Sequence, residues 1–223
     1  FHAGMLRIEG DPEQPGELLL RDCTLVPGQN LDRLGNARQP GAWSLQVAAS
    51  GMALRLERVI SGAIELAADV EAAFADCILD AGSASAFAIK GAPGALRHSI
   101  SLVRCTVFGR IETDAFAGGA SVEAEGDAAG GLPATSDCLF LGSVPAIHAT
   151  RQQIGCIRFS LLPAGSITPR LHRCLRGPIP AFASRRYADP GYFLLRGREE
   201  AIRRGAENGG EIGAYNAAAR SEE

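Results

Sequence analysis

Apolar and polar residues alternate at period two along most of this chain, and the alternating stretches themselves recur. Segments 18–25 (LLLRDCTL) and 53–60 (ALRLERVI) read as half-buried strands. A short phrase returns within such stretches: Asp22-Cys23-Thr24-Leu25, Arg58-Val59-Ile60, Asp76-Cys77-Ile78-Leu79, Arg104-Cys105-Thr106-Val107 and Asp137-Cys138-Leu139-Phe140. A glycine follows each phrase, at 28, 62, 82, 109 and 142. Val59 and Cys77 are 18 residues apart, as are Cys138 and Cys156; the other intervals are 36, 28 and 33. A short period with loop-like insertions predicts stacked units that bury their apolar faces on one another. The predicted fold is all-β, a right-handed parallel β-helix of coils over 1–182 with an irregular C-terminal cap over 183–223. The glycines at 118–119 and within 126–131 mark the clearest insertion. The rival, an antiparallel sandwich, needs hairpin turns such as Asn-Gly. Only Asn208-Gly209 supplies one, near the end of the chain.

A second strand in each coil aligns as well. Gly62-Ala63-Ile64-Glu65 matches Gly109-Arg110-Ile111-Glu112 and Gly142-Ser143-Val144-Pro145, with Ile89-Lys90 in the coil between. Two outward columns follow, Asp22/Arg58/Asp76/Arg104/Asp137 and Glu65/Lys90/Glu112, both alternating in sign. Like charges stacked at about 4.8 Å would repel, so the alternation sets register.

The last forty residues change character. Tyr187 to Tyr192 forms a turn flanked by aromatics, and 199–204 forms a short helical turn stopped by Gly205. The open end of a solenoid exposes core and strand edges, so this segment is expected to cap it.

The motif ADPGYFLL at 188–195, followed by AIRRGAENGGEIGAYN at 201–216, resembles the closing segment of many bacterial right-handed parallel β-helix proteins. RDCTLVPG, DCILDAG, RCTVFGRIET, GCIRFSLLPAGSITPRLHRC and SRRYADPGY together resemble a bacterial β-helix family encoded beside phage-tail-like contractile injection systems. The resemblance implies a part in such a particle or its accessory surface, in a cytoplasmic or particle-associated setting. It carries over no active-site residues.

Composition narrows the chemistry. Aromatic residues are only 6% of the chain, so the core must be built from Ala, Leu, Ile, Val and Cys. Cys23, Cys77, Cys105 and Cys138 share one repeat position, which favours a reduced interior ladder over disulfide bridges. No Cys-x-x-Cys exists, and none of His2, His98, His148 and His172 stands at ligand spacing from another, so no metal is expected. No cofactor fingerprint appears, and no cofactor is expected. No apolar run reaches the roughly 20 residues of a membrane span, and no signal peptide opens the chain. The residues ahead of Met5 read as an added remnant or as part of a longer protein.

Charge is uneven: residues 1–150 carry −8, 151–204 carry +8 and 205–223 carry −3. Arg158, Arg170, Arg173, Arg185 and Arg186 are the candidate surface for an anionic glycan or another protein of a larger assembly; nucleic acid is not expected. The alternative is that these arginines pair with acids of 1–150. For catalysis the candidates are Glu65, Glu112 and Asp114, since glycoside hydrolysis needs two carboxyl groups flanking a bond. The columns of paired charge favour a non-enzymatic structural or binding module. The runner-up is a lyase or hydrolase acting on an acidic polysaccharide.

Overall fold

The computed structural model describes residues 4–10, 16–117, 134–197 and 199–216. Glycines 118–119 and 126–131 lie outside the described residues. Strands succeed one another in coils. The first coil carries β1 (Leu6–Ile8), β2 (Glu17–Arg21) and β3 (Thr24–Leu25), the second β4 (Trp43–Val47), β5 (Ala53–Glu57) and β6 (Ile60–Ser61). The third carries β7 (Ala63–Leu66), β8 (Glu71–Ala75) and β9 (Ile78–Asp80), the fourth β10 (Phe87–Gly91), β11 (Ser99–Val103) and β12 (Thr106–Phe108). The fifth carries β13 (Arg110–Thr113), β14 (Ala115–Phe116), β15 (Thr135–Ser136) and β16 (Leu139–Phe140), and the sixth β17 (Ile147–Ala149), β18 (Cys156–Arg158) and β19 (Leu161–Leu162). The seventh has β20 (Arg170–His172) and β21 (Leu175–Arg176).

These strands form three parallel sheets. Sheet one runs β1-β4-β7-β10-β13-β17, sheet two β2-β5-β8-β11-β15-β18-β20 with β14 also paired to β11, and sheet three β3-β6-β9-β12-β16-β19-β21. The fold is the right-handed parallel β-helix that the repeat predicts, with three strands per coil. Period-two alternation explains the burial: in β5, Leu54 and Leu56 are buried while Arg55 is exposed. Inward residues of the three sheets meet in one core of Leu, Ile, Val, Ala, Cys and Phe.

Sheets two and three meet at a corner one residue wide. Asp22, Arg58, Asp76, Arg104, Asp137, Phe159 and Arg173 all occupy it, each with φ between 44° and 58°. This left-handed conformation costs a non-glycine residue roughly 1–2 kcal/mol. The backbone ladder nevertheless passes through the corner unbroken: Arg58 N–H donates to Ala75 O at 2.9 Å, Asp76 to Val103 at 3.0 Å and Arg104 to Ser136 at 3.0 Å. The side chains add pairs along the column. Arg58 grips Asp22 and Arg104 grips Asp76 with two hydrogen bonds each. The bond from Arg58 holds the Asp22 carboxyl below its ordinary range. The alternating column therefore resolves into couples, and Asp137 turns to the C-terminal segment instead, accepting from Glu207 N–H at 2.7 Å.

The cysteine ladder stands one residue inward of that corner. Registers align Cys23, Val59, Cys77, Cys105, Cys138, Ser160 and Cys174. All six cysteines are free thiols, and Cys77, Cys105 and Cys138 are fully buried. Burial, together with hydrogen bonds between neighbouring thiols, pushes Cys77 and Cys105 far above the ordinary thiol range, so neither is a nucleophile in the folded chain. Two alignments need correction. Cys156 lies in β18, opposite Arg170, and does not continue the ladder. Ser160 takes that place, donating to Arg158 O and accepting from Cys138 N–H. Likewise Gly142 to Pro145 is a turn, and the true partner of Ile111-Glu112 is Ile147-His148. An 18-residue interval recurred by chance there, because the sixth coil is longer than the third.

The irregular C-terminal segment is present, with one short helix α1 (Glu200–Arg203). It lies on the flank of the coils. Tyr192, Phe193, Ile202 and Ile212 pack on Ile78, Leu139 and Leu161 from the outer face of sheet three, forming a second core. Gly205 closes the helix where a Cβ would sit 2.1 Å from Ala201 O, so no larger residue fits. The seventh coil ends the sheets in another way. Its Arg176 stands in register with buried Leu162 but is exposed, and a charge on a terminal strand discourages further strand pairing.

Candidate functional site

Sheet one presents a polar column on its outer face. Registers align Arg7, Gln46, Glu65, Lys90, Glu112 and His148. Arg7 donates to Gln46 at 2.7 Å, Gln46 donates to Glu65, and Lys90 pairs with Glu112 at 3.7 Å. Glu65 and Glu112 are two rungs apart, about 9–10 Å along the axis at the usual strand spacing. That approaches the separation used by inverting glycosidases. Lys90 stands between them, however, and pairs with Glu112.

Asp114 sits where sheet one bends toward sheet two. Its carboxylate accepts from Arg97 N–H at 2.9 Å and pairs with Arg151 at 3.0 Å. Arg97 in turn pairs with Asp69 at 2.9 Å. This corner therefore holds a further alternating series, Asp69, Arg97, Asp114 and Arg151, which chain position alone does not show. Beside it His98 is buried against Gly91, and its Nε2 accepts from Asp114 N–H at 3.3 Å. Burial lowers the His98 pKa, which keeps the ring neutral. Among the described residues no three His, Cys, Asp or Glu side chains converge to hold a metal ion.

The candidate arginines disperse over the molecule. Arg158 is paired internally with Glu207 at 2.8 Å. Arg170 is exposed on β20, and Arg173 occupies the last corner with its guanidinium over Phe159. Arg185 and Arg186 are exposed in the C-terminal segment, with Arg185 over the ring of Phe108 at 5.4 Å. None of Arg170, Arg173, Arg185 and Arg186 forms an ion pair among the described residues. Of these five, then, only Arg158 is neutralised, and by an acid outside residues 1–150.

Arg185 and Arg186 border a cleft of about 240 Å³. Its floor is the outer face of sheet three, where Asp80 and Phe108 are cross-strand neighbours. One wall is the loop between β3 and β4, with Leu31 and Asn36; the other is Arg185 to Tyr187. The loop contains most of the extra length between the first and second coils, and its Gly35 touches Tyr187 O. Asp80 is buried, and its carboxyl accepts from Tyr192 O–H and from Gly82 N–H at 2.7 Å.

Burial raises the Asp80 pKa above its ordinary value, against the pull of Tyr192, Gly82 and the Arg185 charge. The folded chain thus holds this proton to higher pH than the unfolded chain does. The stabilisation is full below about pH 4 and is lost as pH rises through the folded value. Asp80→Asn, which stays neutral, is expected to flatten the fall of melting temperature across that rise. Parallel profiles for the two proteins would assign the pH dependence elsewhere.

Among the described residues no helix is long and apolar enough to cross a membrane. Comparison with family models, curated proteins and solved structures finds no match to this chain.

Proposed function

We propose that the chain is a non-enzymatic structural or binding module, a rigid β-helix holding an anionic glycan through arginines that its own acids leave free. One contrast carries this reading. Glu112 and Asp114 are paired with Lys90 and Arg151, while Arg170, Arg173, Arg185 and Arg186 form no ion pair among the described residues. Carboxylates engaged in ion pairs do not stand as two free groups flanking a glycosidic bond. Unpaired guanidiniums suit bidentate contact with carboxylate or sulfate. The motif resemblance supports a setting on a phage-tail-like particle or its accessory surface, cytoplasmic or particle-associated.

The test is retention on immobilised polygalacturonate and heparin, with product analysis of the same glycans. Retention at low salt, weakening steeply as ionic strength passes about 0.1 M, is expected without turnover. Glycan cleavage that disappears in Glu112→Gln or Asp114→Asn would install the rival reading, a lyase or hydrolase acting on an acidic polysaccharide.

A further inference from the structure

The cleft over sheet three has a definite chemistry. Asp80 is the one acid lining it, and both its oxygens already accept hydrogen bonds from within the protein. The two arginines therefore leave the lining net positive. Phe108 supports Arg185 from one face of the guanidinium, which leaves the N–H edge for an oxyanion. Opposite the arginines the wall is partly apolar, through Pro27, Leu31 and Ala37. Asn36 donates its side-chain N–H to Asp32 at 3.1 Å, so its carbonyl oxygen remains an acceptor. The cleft thus offers cations for one negative group, an acceptor for a hydroxyl donor and an apolar strip. At about 240 Å³ it is smaller than the 300–1,000 Å³ that houses drug-sized ligands. A single sugar ring carrying a carboxylate meets all of these conditions. A phosphate ion offers no apolar face, and an aspartate or glutamate side chain offers no hydroxyl donors.

We infer that this cleft, between the β3–β4 loop and Arg185 to Tyr187, is the binding site for one uronate unit of an acidic glycan. The inference rests on the proposed function and localises it. Arg185 and Arg186 hold the carboxylate, while the Asn36 side-chain carbonyl accepts from a ring hydroxyl. The other two candidate arginines, Arg170 and Arg173, lie on the seventh coil and take no part in this site.

Calorimetric titration of the full chain with D-glucuronate, with D-glucose and with inorganic phosphate tests it. Saturable glucuronate binding is expected, with glucose and phosphate much weaker. Arg185→Gln and Arg186→Gln should each weaken glucuronate by about tenfold or more, the usual effect of losing a charge-assisted hydrogen bond. Arg55→Gln, on the outer face of sheet two and paired with Glu17, should leave it unchanged. All three positions are exposed, and circular dichroism verifies that the variants remain folded. Absence of saturable glucuronate binding, or equal weakening by Arg55→Gln, overturns the site. Equal binding of phosphate, or of N-acetylglutamate amide, overturns the sugar assignment. Should polygalacturonate retention persist and fall only with Arg170→Gln or Arg173→Gln, the binding function stands and this location for it fails.

Discussion

Truncating Phe193 to alanine is expected to cost about 3–5 kcal/mol and to loosen the C-terminal segment from the coils. Phe193 is 1% exposed and is the centre of an aromatic group, with ring centroids 5.6 Å from Phe108, 5.2 Å from Phe182 and 4.8 Å from Tyr192. Phe108 belongs to sheet three and the others to the segment, so this ring is the joint between them. Its backbone is left-handed, at φ 51°, and alanine carries the same strain there. The substitution therefore isolates the loss of the ring. Trypsin reports the local effect, since Arg185, Arg186 and Arg196 all lie in the segment. Faster cleavage at these arginines, with the β-sheet signal in circular dichroism preserved, is the expected pattern. Unchanged cleavage would mean that the segment is held mainly by its other contacts.

Phe74→Ala is expected to cost a similar 3–5 kcal/mol, but through the coils themselves. Phe74 is 1% exposed in β8 and stacks between Leu56 and Leu102 on the adjacent strands. Each coil touches chiefly its two neighbours, so damage at the third coil weakens both of its interfaces. Denaturant unfolding measures the loss. Glu71→Ala, at the exposed start of the same strand, is the control and should stay within about 0.5 kcal/mol. Equal effects from the two substitutions would place the core elsewhere.

The coil repeat was legible because one column, the inward cysteine and valine beside the corner, kept its chemistry through Cys23, Val59, Cys77, Cys105 and Cys138. Sign alternation located the outward columns for the same reason, since stacked like charges are disfavoured. Where the chemistry changed, the reading failed. Ser160 hid the sixth member of the ladder, and Cys156 imitated it at the same interval. The left-handed corner was hidden because arginine seldom adopts that conformation, and only the stacked geometry shows Arg58 and Arg104 doing so. The cleft was legible only as arginines. Its floor comes from Asp80 and Phe108, its walls from residues near 31–37 and 185–187, and no local pattern relates segments so far apart. The target of the C-terminal segment was concealed by short strands. Ile78, Leu139 and Leu161 sit in strands of two or three residues, too brief to show that both faces are apolar.

The path of that segment bears on how the molecule comes apart. A pure solenoid unfolds like a one-dimensional chain, and its terminal coils fray while its centre holds. Here one segment of the chain contacts four coils. Tyr192 reaches Asp80 in the third, Ala214 N–H reaches Thr106 in the fourth, Gly213 N–H reaches Asp137 O in the fifth, and the apolar residues of the segment cover Leu161 in the sixth. No coil in that span can detach without breaking contacts to a strap that also holds its neighbours. The strap converts nearest-neighbour coupling into long-range coupling, so the middle of this solenoid behaves as one cooperative unit and fraying is confined to the coils that lie beyond it.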